Sequence, residues 1–221
     1  MAACKAVFFD IDGTLVDSNA LHVEAWQRAF ADAGHTIGPE AIGGQIGKGA
    51  DNLVPALIPG ADEDTAEQLG EAHGTIFKRD YLNEVRPFPH ARDLVQRVHD
   101  SGRTVVLASS ASKEELDHYV KLLDIEKLVD VSTTSDDVET TKPAPDIFGV
   151  ARDKSGIDTE AVIVIGDSPY DMDAARQCGM TPIGLRSGGF DDAALREAGA
   201  QHIYDDVAAI LADFDGSPLA R

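Results

Sequence analysis

The residues whose types and spacing most clearly suggest chemistry are Asp10 and Asp12, which stand one residue apart just before Gly13. They follow a short apolar run at residues 6–9, which is typical of a strand buried on both faces. In a parallel sheet the carboxyl ends of the strands form the ligand crevice, so both carboxylates are expected there. Gly13 allows a sharp backbone turn after them. Taken alone, the pattern is equally consistent with two carboxylates in a surface turn.

Further polar side chains lie just beyond other predicted strands. They are Ser109 with Ser110, then Lys142, and finally Asp167 with Asp171. Carboxylates that meet in one crevice repel one another and raise their own pKa values unless cations neutralise them. A hard divalent ion with oxygen ligands, Mg²⁺ above all, and the ammonium of Lys142 supply that positive charge. The sequence therefore predicts a magnesium site that includes a lysine.

A set of strands must hold these side chains at one edge of a sheet. Continuous apolar runs at 104–108, 161–165 and 182–185 predict buried strands, and residues 129–133 are a less apolar candidate. Segments with helical spacing of apolar residues lie between these runs. The alternation of strand and helix favours an α/β fold with a Rossmann-like, doubly wound parallel sheet.

One long stretch departs from this alternation, because residues 17–84 contain no convincing strand. Apolar residues at helical spacing predict one amphipathic helix around 23–30 and another around 66–81. We therefore predict an all-helical domain at 17–84. It is inserted after the first strand into a core formed by residues 1–16 and 85–221.

The charge of the chain limits its partners. Lys and Arg number 19 against 39 Asp and Glu, which gives a formal net charge of −20 over 221 residues. Nucleic-acid-binding domains and peripheral membrane proteins usually carry basic faces, so we expect no nucleic acid and no membrane as partners. A hydrophobic content of 43% is sufficient for a substantial core.

The compartment is inferred from the cysteines and from the lack of long apolar runs. Cys4 and Cys178 are too few for a disulfide framework and lack the spacing of a metal site, so we expect two free thiols in a reducing cytosol. No apolar run resembles a signal-peptide core or reaches the roughly 20 residues that span a bilayer. We predict a soluble cytoplasmic protein, a monomer or homodimer, with a frayed terminus at 215–221.

Four ordered motifs resemble those of the haloacid dehalogenase (HAD) superfamily. They are DIDGTLVDS at 10–18, Ser109 after the second predicted strand, KPAPDIF at 142–148 and GDSPYD at 166–171. The resemblance covers nearly the whole chain, including the helical segment at 17–84, which that family calls a cap. It implies a Rossmann-like core and aspartyl-phosphate chemistry.

The resemblance implies a role for each motif. Asp10 corresponds to a nucleophile that attacks phosphorus, and Asp12 to the general acid and base, whose backbone carbonyl also coordinates Mg²⁺. Lys142 and the ion screen the charge of the phosphoryl group, and Ser109 hydrogen-bonds its oxygens. Dehalogenases resemble the first motif without the second aspartate, since they have no leaving alcohol to protonate. The implied metal ligands are Asp10, Asp12, Asp167 and Asp171, the last acting directly or through a water.

The cap position resembles that of HAD subfamily I, which includes phosphoglycolate phosphatases, β-phosphoglucomutases and sugar-phosphate phosphatases. A cap that closes over the crevice excludes water and large substrates, so the implied partner is a small phosphorylated metabolite. The glycine-rich loop 43–49 resembles the specificity loop of the subfamily, and it offers Lys48 and Gly49 to the substrate. From spacing alone, this loop is also consistent with a flexible turn between helices.

Two more side chains, His22 and Ser110, complete the predicted site, and Trp26 is left out of it. His22 matches a histidine of the β-phosphoglucomutases and is assigned to substrate binding, although by residue type it is an ordinary helix-face histidine. Ser110 is also assigned to substrate binding, with a structural role as the alternative. Trp26 is interpreted as cap packing or hinge support.

A phosphatase and a phosphosugar mutase are the main alternatives. The cap matches and the KPAPD motif favour a β-phosphoglucomutase-type enzyme. However, Gly166-Asp167 stands where the mutases carry a Glu-Asp pair, and Asp171 has no acidic counterpart in them. His73 stands where a mutase is expected to carry a lysine that grips the distal phosphate. We therefore favour a Mg²⁺-dependent phosphatase.

A binding protein without catalysis is an alternative from another class. Loss of catalysis would usually erase one of the charged residues that the chemistry needs. All four of them remain in this chain, namely Asp10, Asp12, Lys142 and Asp167.

Overall fold

The computed structural model describes residues 3–138 and 140–221 and contains a six-stranded parallel sheet. Elements are numbered in chain order. The strands of this sheet are β1 (Ala6–Phe9), β4 (Thr104–Ala108), β5 (Val131–Thr133), β6 (Val162–Gly166), β7 (Thr181–Leu185) and β8 (His202–Tyr204). Their spatial order is β5-β4-β1-β6-β7-β8, so β1 is central and all its neighbours point the same way. The carboxyl ends of β1, β4 and β6 therefore lie side by side.

Helices cover both faces of this sheet. They are α5 (Ala91–Asp100), α6 (Lys113–Leu122), α7 (Asp146–Ser155), α8 (Pro169–Gln177), α9 (Asp192–Ala198) and α10 (Val207–Ala212). Successive side chains of a strand point to opposite faces. Thus Val7 and Phe9 pack in the same cluster as residues of α5, α6 and α10, whereas Phe8 packs with α7 and α8. The predicted doubly wound α/β fold is confirmed.

The cap contains four α-helices, where the sequence predicted two helices. They are α1 (Asn19–Asp32), α2 (Pro39–Gly43), α3 (Ala50–Leu57) and α4 (Glu63–Asp80). The two predicted helices correspond to α1 and α4, which each carry four buried residues, and α2 and α3 add Ile42, Leu53 and Val54. The two additional helices flank the glycine-rich loop and are too short to show a clear apolar period.

A short antiparallel pair lies where the chain leaves and re-enters the core. It joins β2 (Val16–Asp17) to β3 (Arg86–Pro87). Both strands fall within two residues of the predicted cap boundaries. The division into a core of 1–16 and 85–221 and a cap of 17–84 stays a prediction that this pair supports.

The predicted fraying of residues 215–221 is wrong. Pro218–Ala220 form a 3-10 helix, Leu219 is fully buried, and the Ser217 hydroxyl bonds the carbonyl of Phe214 over 2.7 Å. The Cys4 amide donates to the Arg221 carbonyl over 2.8 Å. A single large apolar side chain, Leu219, gives no periodic signal in this heptapeptide, so the sequence did not reveal this docking.

Three smaller predictions have clear outcomes. Strand β8 was not predicted, and β5 is shorter than the candidate at 129–133. Cys4 and Cys178 are free thiols, as expected. Across 3–138 and 140–221, no helix has both the length and the apolar character that a bilayer crossing requires.

Candidate active site

The predicted site residues gather at the carboxyl ends of β1, β4 and β6, beneath the cap. A cleft of about 720 Å³ opens there between core and cap. Asp10 and Asp12 line it from the core, and His22, Lys48 and Gly49 line it from the cap. The strand-end placement inferred from the sequence thus agrees with the positions of these side chains.

Lys142 is the central cation of the site. Its side chain is buried, and Nζ lies 2.6 Å from Asp10 Oδ1 and 2.7 Å from Asp171 Oδ1. It also donates to the Ala108 carbonyl at the end of β4, over 3.2 Å. Burial opposes its charge, but the two carboxylates outweigh burial and raise the pKa of Lys142. The ammonium is therefore held as a fixed positive charge against Asp10.

One lysine does not neutralise the carboxylates around it. Asp10, Asp167 and Asp171 are all buried, and each offers an oxygen within 4.8 Å of the others. Burial raises the pKa of Asp10 well above its usual value, and Asp171 and Asp167 add to this despite the opposing effect of Lys142. Burial and the neighbouring Asp171 raise the pKa of Asp167 to about 7. Such a set of crowded oxygen donors fits a hard divalent cation such as Mg²⁺.

Asp167 is oriented by groups from the first motif and the cap. Thr14 Oγ1 donates to Asp167 Oδ1 over 3.2 Å, and Asn19 Nδ2 donates to Oδ2 over 2.9 Å. Gly13 has a φ of +72°, and a Cβ there would lie 2.1 Å from Asp167 Oδ2. A Cβ at Gly188 would lie 2.2 Å from the same oxygen. Glycine is therefore required at both positions for the backbone to approach this carboxylate.

Asp171 combines a structural contact with its place in the acidic cluster. Its Oδ2 accepts from the Ser168 hydroxyl over 2.6 Å and from the Ser168 amide over 3.1 Å. The bond from the Ser168 amide, together with the one that the Asp171 amide donates to Ser168 Oγ over 3.3 Å, forms a capping box at the start of α8. The other oxygen, Oδ1, faces Lys142. Asp171 is thus held rigidly against the lysine, and its role at a metal stays a prediction.

Asp12 faces the cap. Its Oδ1 accepts from Ser18 Oγ over 2.6 Å and lies 3.1 Å from His22 Nε2. Burial opposes ionisation, but the charge and hydrogen bond of His22, together with Ser18, hold the pKa of Asp12 below its usual value. The clustered metal donors are the carboxylates of Asp10, Asp167 and Asp171, so Asp12 would reach a metal through its carbonyl, as the resemblance implies.

The two serines after β4 occupy different positions. Ser109 is fully buried, and its Oγ accepts from the Ala111 amide over 3.0 Å. Ser110 lines the cleft, and its hydroxyl has no hydrogen-bond partner among residues 3–138 and 140–221. An unpartnered buried hydroxyl is costly, so a ligand oxygen is a fitting partner for it. This geometry favours a substrate role for Ser110 more than its sequence did.

The glycine-rich loop packs onto the start of α8 and onto the loop that precedes α7. Lys48 Nζ donates to Gln45 Oε1 over 2.6 Å and lies 4.5 Å from the centroid of the Tyr170 ring. Burial lowers the pKa of Lys48. The Gly49 amide donates to Thr141 Oγ1 over 2.9 Å, and a Cβ on Gly49 would lie 2.5 Å from the Thr141 side chain. The loop therefore needs a glycine at 49 for packing against the core as well.

Several residues of the site were not identified from the sequence. Asn19 and Thr14, which orient Asp167, lie beside the first motif, and that proximity was the available signal. Asp51 and Asn52 form hydrogen bonds with Thr141 across the cleft. Because these residues are far apart in the chain, no local sequence pattern indicates the contact. Such contacts depend on how the cap is placed over the core.

Comparisons with known proteins agree on one family. The model of haloacid dehalogenase-like hydrolases matches residues 7–185. A phosphoglycolate phosphatase of Salmonella paratyphi A is 30% identical over 94% of this chain and 91% of its own length. A phosphorylated carbohydrates phosphatase of Thermotoga maritima is 28% identical over 89% of this chain and 92% of its own. A solved hydrolase from Pseudomonas syringae has 31% identity and a TM-score of 0.89, with 96% of this chain and 98% of that one covered.

Proposed function

This chain belongs to the haloacid dehalogenase-like hydrolase family and is a phosphatase, and we propose that it releases phosphate from a small phosphorylated metabolite through an aspartyl-phosphate on Asp10. Phosphoglycolate and sugar phosphates are the proposed substrate types, after the names of its relatives. The observation that carries the proposal is the buried Lys142 ammonium, 2.6 Å from Asp10 Oδ1, within a cluster of three carboxylates. It places positive charge where a phosphoryl group must approach an anionic nucleophile.

We further propose that the cation is Mg²⁺. Asp10, Asp167 and Asp171 would hold it with the Asp12 carbonyl, and when bound it supplies the charge that screens the phosphoryl oxygens. The glycines around Asp167 and the bonds from Thr14 and Asn19 fix that carboxylate.

The proposed reaction has two displacements at phosphorus. A carboxylate oxygen of Asp10 forms a bond to phosphorus as the bond to the leaving alcohol breaks, and Asp12 gives the departing oxygen the proton that it took from water in the preceding turnover. Asp12 then takes a proton from water, whose oxygen attacks the aspartyl-phosphate. Phosphate leaves and the Asp10 carboxylate is restored. The hydrogen bonds that favour ionised Asp12 suit its role as a base in the second displacement.

Binding of the phosphoryl oxygens is assigned to Lys142 and to the loop after β4. Ser109 is held by the Ala111 amide, and Ser110 presents to the cleft a hydroxyl that has no partner within the described part of the chain. Lys48 and Lys78 are cap lysines that line the cleft; Lys48 lies in the glycine-rich loop, and we assign it to the remainder of the substrate.

One observation favours hydrolysis over the mutase alternative. His73 stands where a mutase is expected to carry a phosphate-gripping lysine, and its ring is stacked on Trp26 at 4.2 Å between centroids. Burial lowers the pKa of His73 well below its usual value, so the ring is neutral and is poorly suited to hold a second phosphate.

The test is a screen of phosphate release with added Mg²⁺, using phosphoglycolate, hexose phosphates and pentose phosphates. A parallel assay follows conversion of glucose 1-phosphate to glucose 6-phosphate, primed by a bisphosphate. We expect phosphate release that EDTA abolishes and Mg²⁺ restores. Isomerisation with little phosphate release would establish the mutase instead. A clean preparation inactive on the whole panel would support a binding role.

A further inference from the structure

Two helices of the cap interlock through four aromatic side chains above Asp12. His22 and Trp26 lie four residues apart on α1, and His73 and Phe77 lie four residues apart on α4, so each pair shares one helix face. His22 stacks on Phe77 with centroids 3.8 Å apart and planes inclined by 9°. Trp26 stacks on His73 at 4.2 Å and 9°. Each imidazole is therefore held flat against a ring of the opposite helix.

This stacking brings the two imidazoles into hydrogen-bond contact. His22 Nδ1 lies 3.2 Å from His73 Nε2, and His22 Nε2 lies 3.1 Å from Asp12 Oδ1. The chain of contacts thus runs from His73 through both ring nitrogens of His22 to the Asp12 carboxylate.

The donors and acceptors along this chain are constrained. An ionised carboxylate only accepts, so His22 must present Nε2–H to Asp12. When His22 is neutral, its Nδ1 is unprotonated and His73 is placed to donate its Nε2–H to that nitrogen; when His22 is charged, Nδ1–H donates to His73, and Nε2–H still faces Asp12. The hydrogen bond made by one ring nitrogen of an imidazole commonly fixes the tautomer and the orientation of the ring, and therefore what the other nitrogen can donate or accept.

We propose that His73 is a positioning residue for Asp12, acting through His22, whose ring it holds with Nε2–H directed at the Asp12 carboxylate. The proposal rests on the acid-base role of Asp12 in the proposed function. Although His73 lines the cleft, its contacts are with Trp26 and His22, so the geometry assigns it to the catalytic machinery and not to substrate binding.

The first experiment separates positioning from substrate binding. His73→Leu removes the ring nitrogens while retaining apolar bulk, and His73→Gln keeps an amide that can donate to His22. Gln68→Leu, at an exposed position of the same helix, is the matched control. We expect His73→Leu to lower kcat about tenfold with KM nearly constant, and His73→Gln to recover most of that loss. A rise in KM at constant kcat, or no change in either, would overturn the proposal.

The second experiment is a double-mutant cycle with His22→Ala. If His73 acts through His22, His73→Leu has no further effect on kcat once His22 is absent. An equal loss of kcat in both backgrounds would mean that His73 acts on its own, which contradicts the proposal. Asp12→Asn is the reference: if it keeps full phosphatase activity, the proposed function of Asp12 fails. A nearly inactive Asp12→Asn beside a normal His73→Leu rejects the positioning role alone.

The third experiment does not depend on activity. Nitrogen-15 spectra of the histidine rings, recorded on the folded protein without substrate, report which nitrogen of His22 carries the proton. At alkaline pH, where an imidazole is neutral, we expect a protonated Nε2 and an acceptor Nδ1 in the native chain and in His73→Gln, and a mixture of tautomers in His73→Leu. Identical His22 signals in all three proteins would disprove the coupling.

Discussion

Thr141 of the core donates its backbone amide to Asp51 of the cap over 2.9 Å, and its hydroxyl bonds the same carboxylate. Thr141 directly precedes Lys142, and its carbonyl accepts from Asn52 Nδ2 over 3.0 Å. The start of α3 is therefore tied to the loop that carries Lys142. This contact connects the position of the cap to the position of the buried cation.

We expect Asp51→Ala to lower kcat/KM about fivefold, because it removes two hydrogen bonds that hold the Lys142 loop under the cap. Steady-state kinetics on the best substrate of the screen measure the effect. Asp64→Ala, at an exposed position of α4, is the control and is expected to stay within twofold of the native chain. Equal kcat/KM values for the two variants would show that this contact is dispensable.

Asp10→Asn is expected to reduce turnover on the order of a thousandfold or more while the fold is retained. The amide has nearly the same shape but is not a nucleophile, and Lys142 keeps its partner Asp171. Circular dichroism and thermal unfolding check the fold, and phosphate release checks the activity. A well-folded variant with substantial turnover would remove Asp10 from the nucleophile role.

The metal-free protein is expected to lose stability as the pH rises from about 4 to about 7. The pKa of Asp167 is about 7 in the folded state against an ordinary value of 3.8, so the folded state binds more protons across that range. The unfolding free energy therefore falls with rising pH, and the loss is complete above about 7. Buried His73, whose pKa is lowered, opposes this trend at acidic pH.

Comparison with Asp167→Asn isolates the contribution of this one carboxyl. Unfolding midpoints in EDTA are measured from pH 4.5 to 8 for both proteins. The stability of the native chain relative to the variant is expected to fall as the pH rises to about 7. Mg²⁺ added at pH 8 should stabilise the native chain more than the variant, because it binds the ionised cluster. A difference that does not change with pH would contradict the raised pKa.

Lys48→Met tests the assignment of the cap lysine to the substrate. We expect KM for 6-phosphogluconate, which carries a second anionic group, to rise about tenfold, and KM for glucose 6-phosphate to rise less. Lys127→Met is the control, because Lys127 is exposed and does not line the cleft. Equal changes for the two substrates would indicate that Lys48 instead maintains the loop through Gln45 and Tyr170.

The strand-end residues could be predicted from the sequence because each one comes directly after a recognisable apolar strand. Asp10 and Asp167 directly follow buried strands, and parallel strands bring such positions together whatever the details of packing. The contact between His22 and His73 depends on how α1 and α4 pack, which the helical period alone does not determine. The Asp51–Thr141 contact depends in addition on how the cap meets the core.

The docking of residues 217–221 leads to the last prediction, a loss of stability on Leu219→Ala. Leu219 is fully buried in the cluster that contains Phe9 and Ile210, and the adjoining Arg221 carbonyl accepts from the Cys4 amide. Truncation of a buried leucine to alanine costs about 2–5 kcal/mol in unfolding free energy, through lost apolar contact and the cavity left behind. Denaturant titration measures this cost. Asp215→Ala is the control, because its ion pair with Arg97 is exposed and contributes under about 1 kcal/mol. A Leu219→Ala variant as stable as this control would mean that the segment is frayed in solution after all.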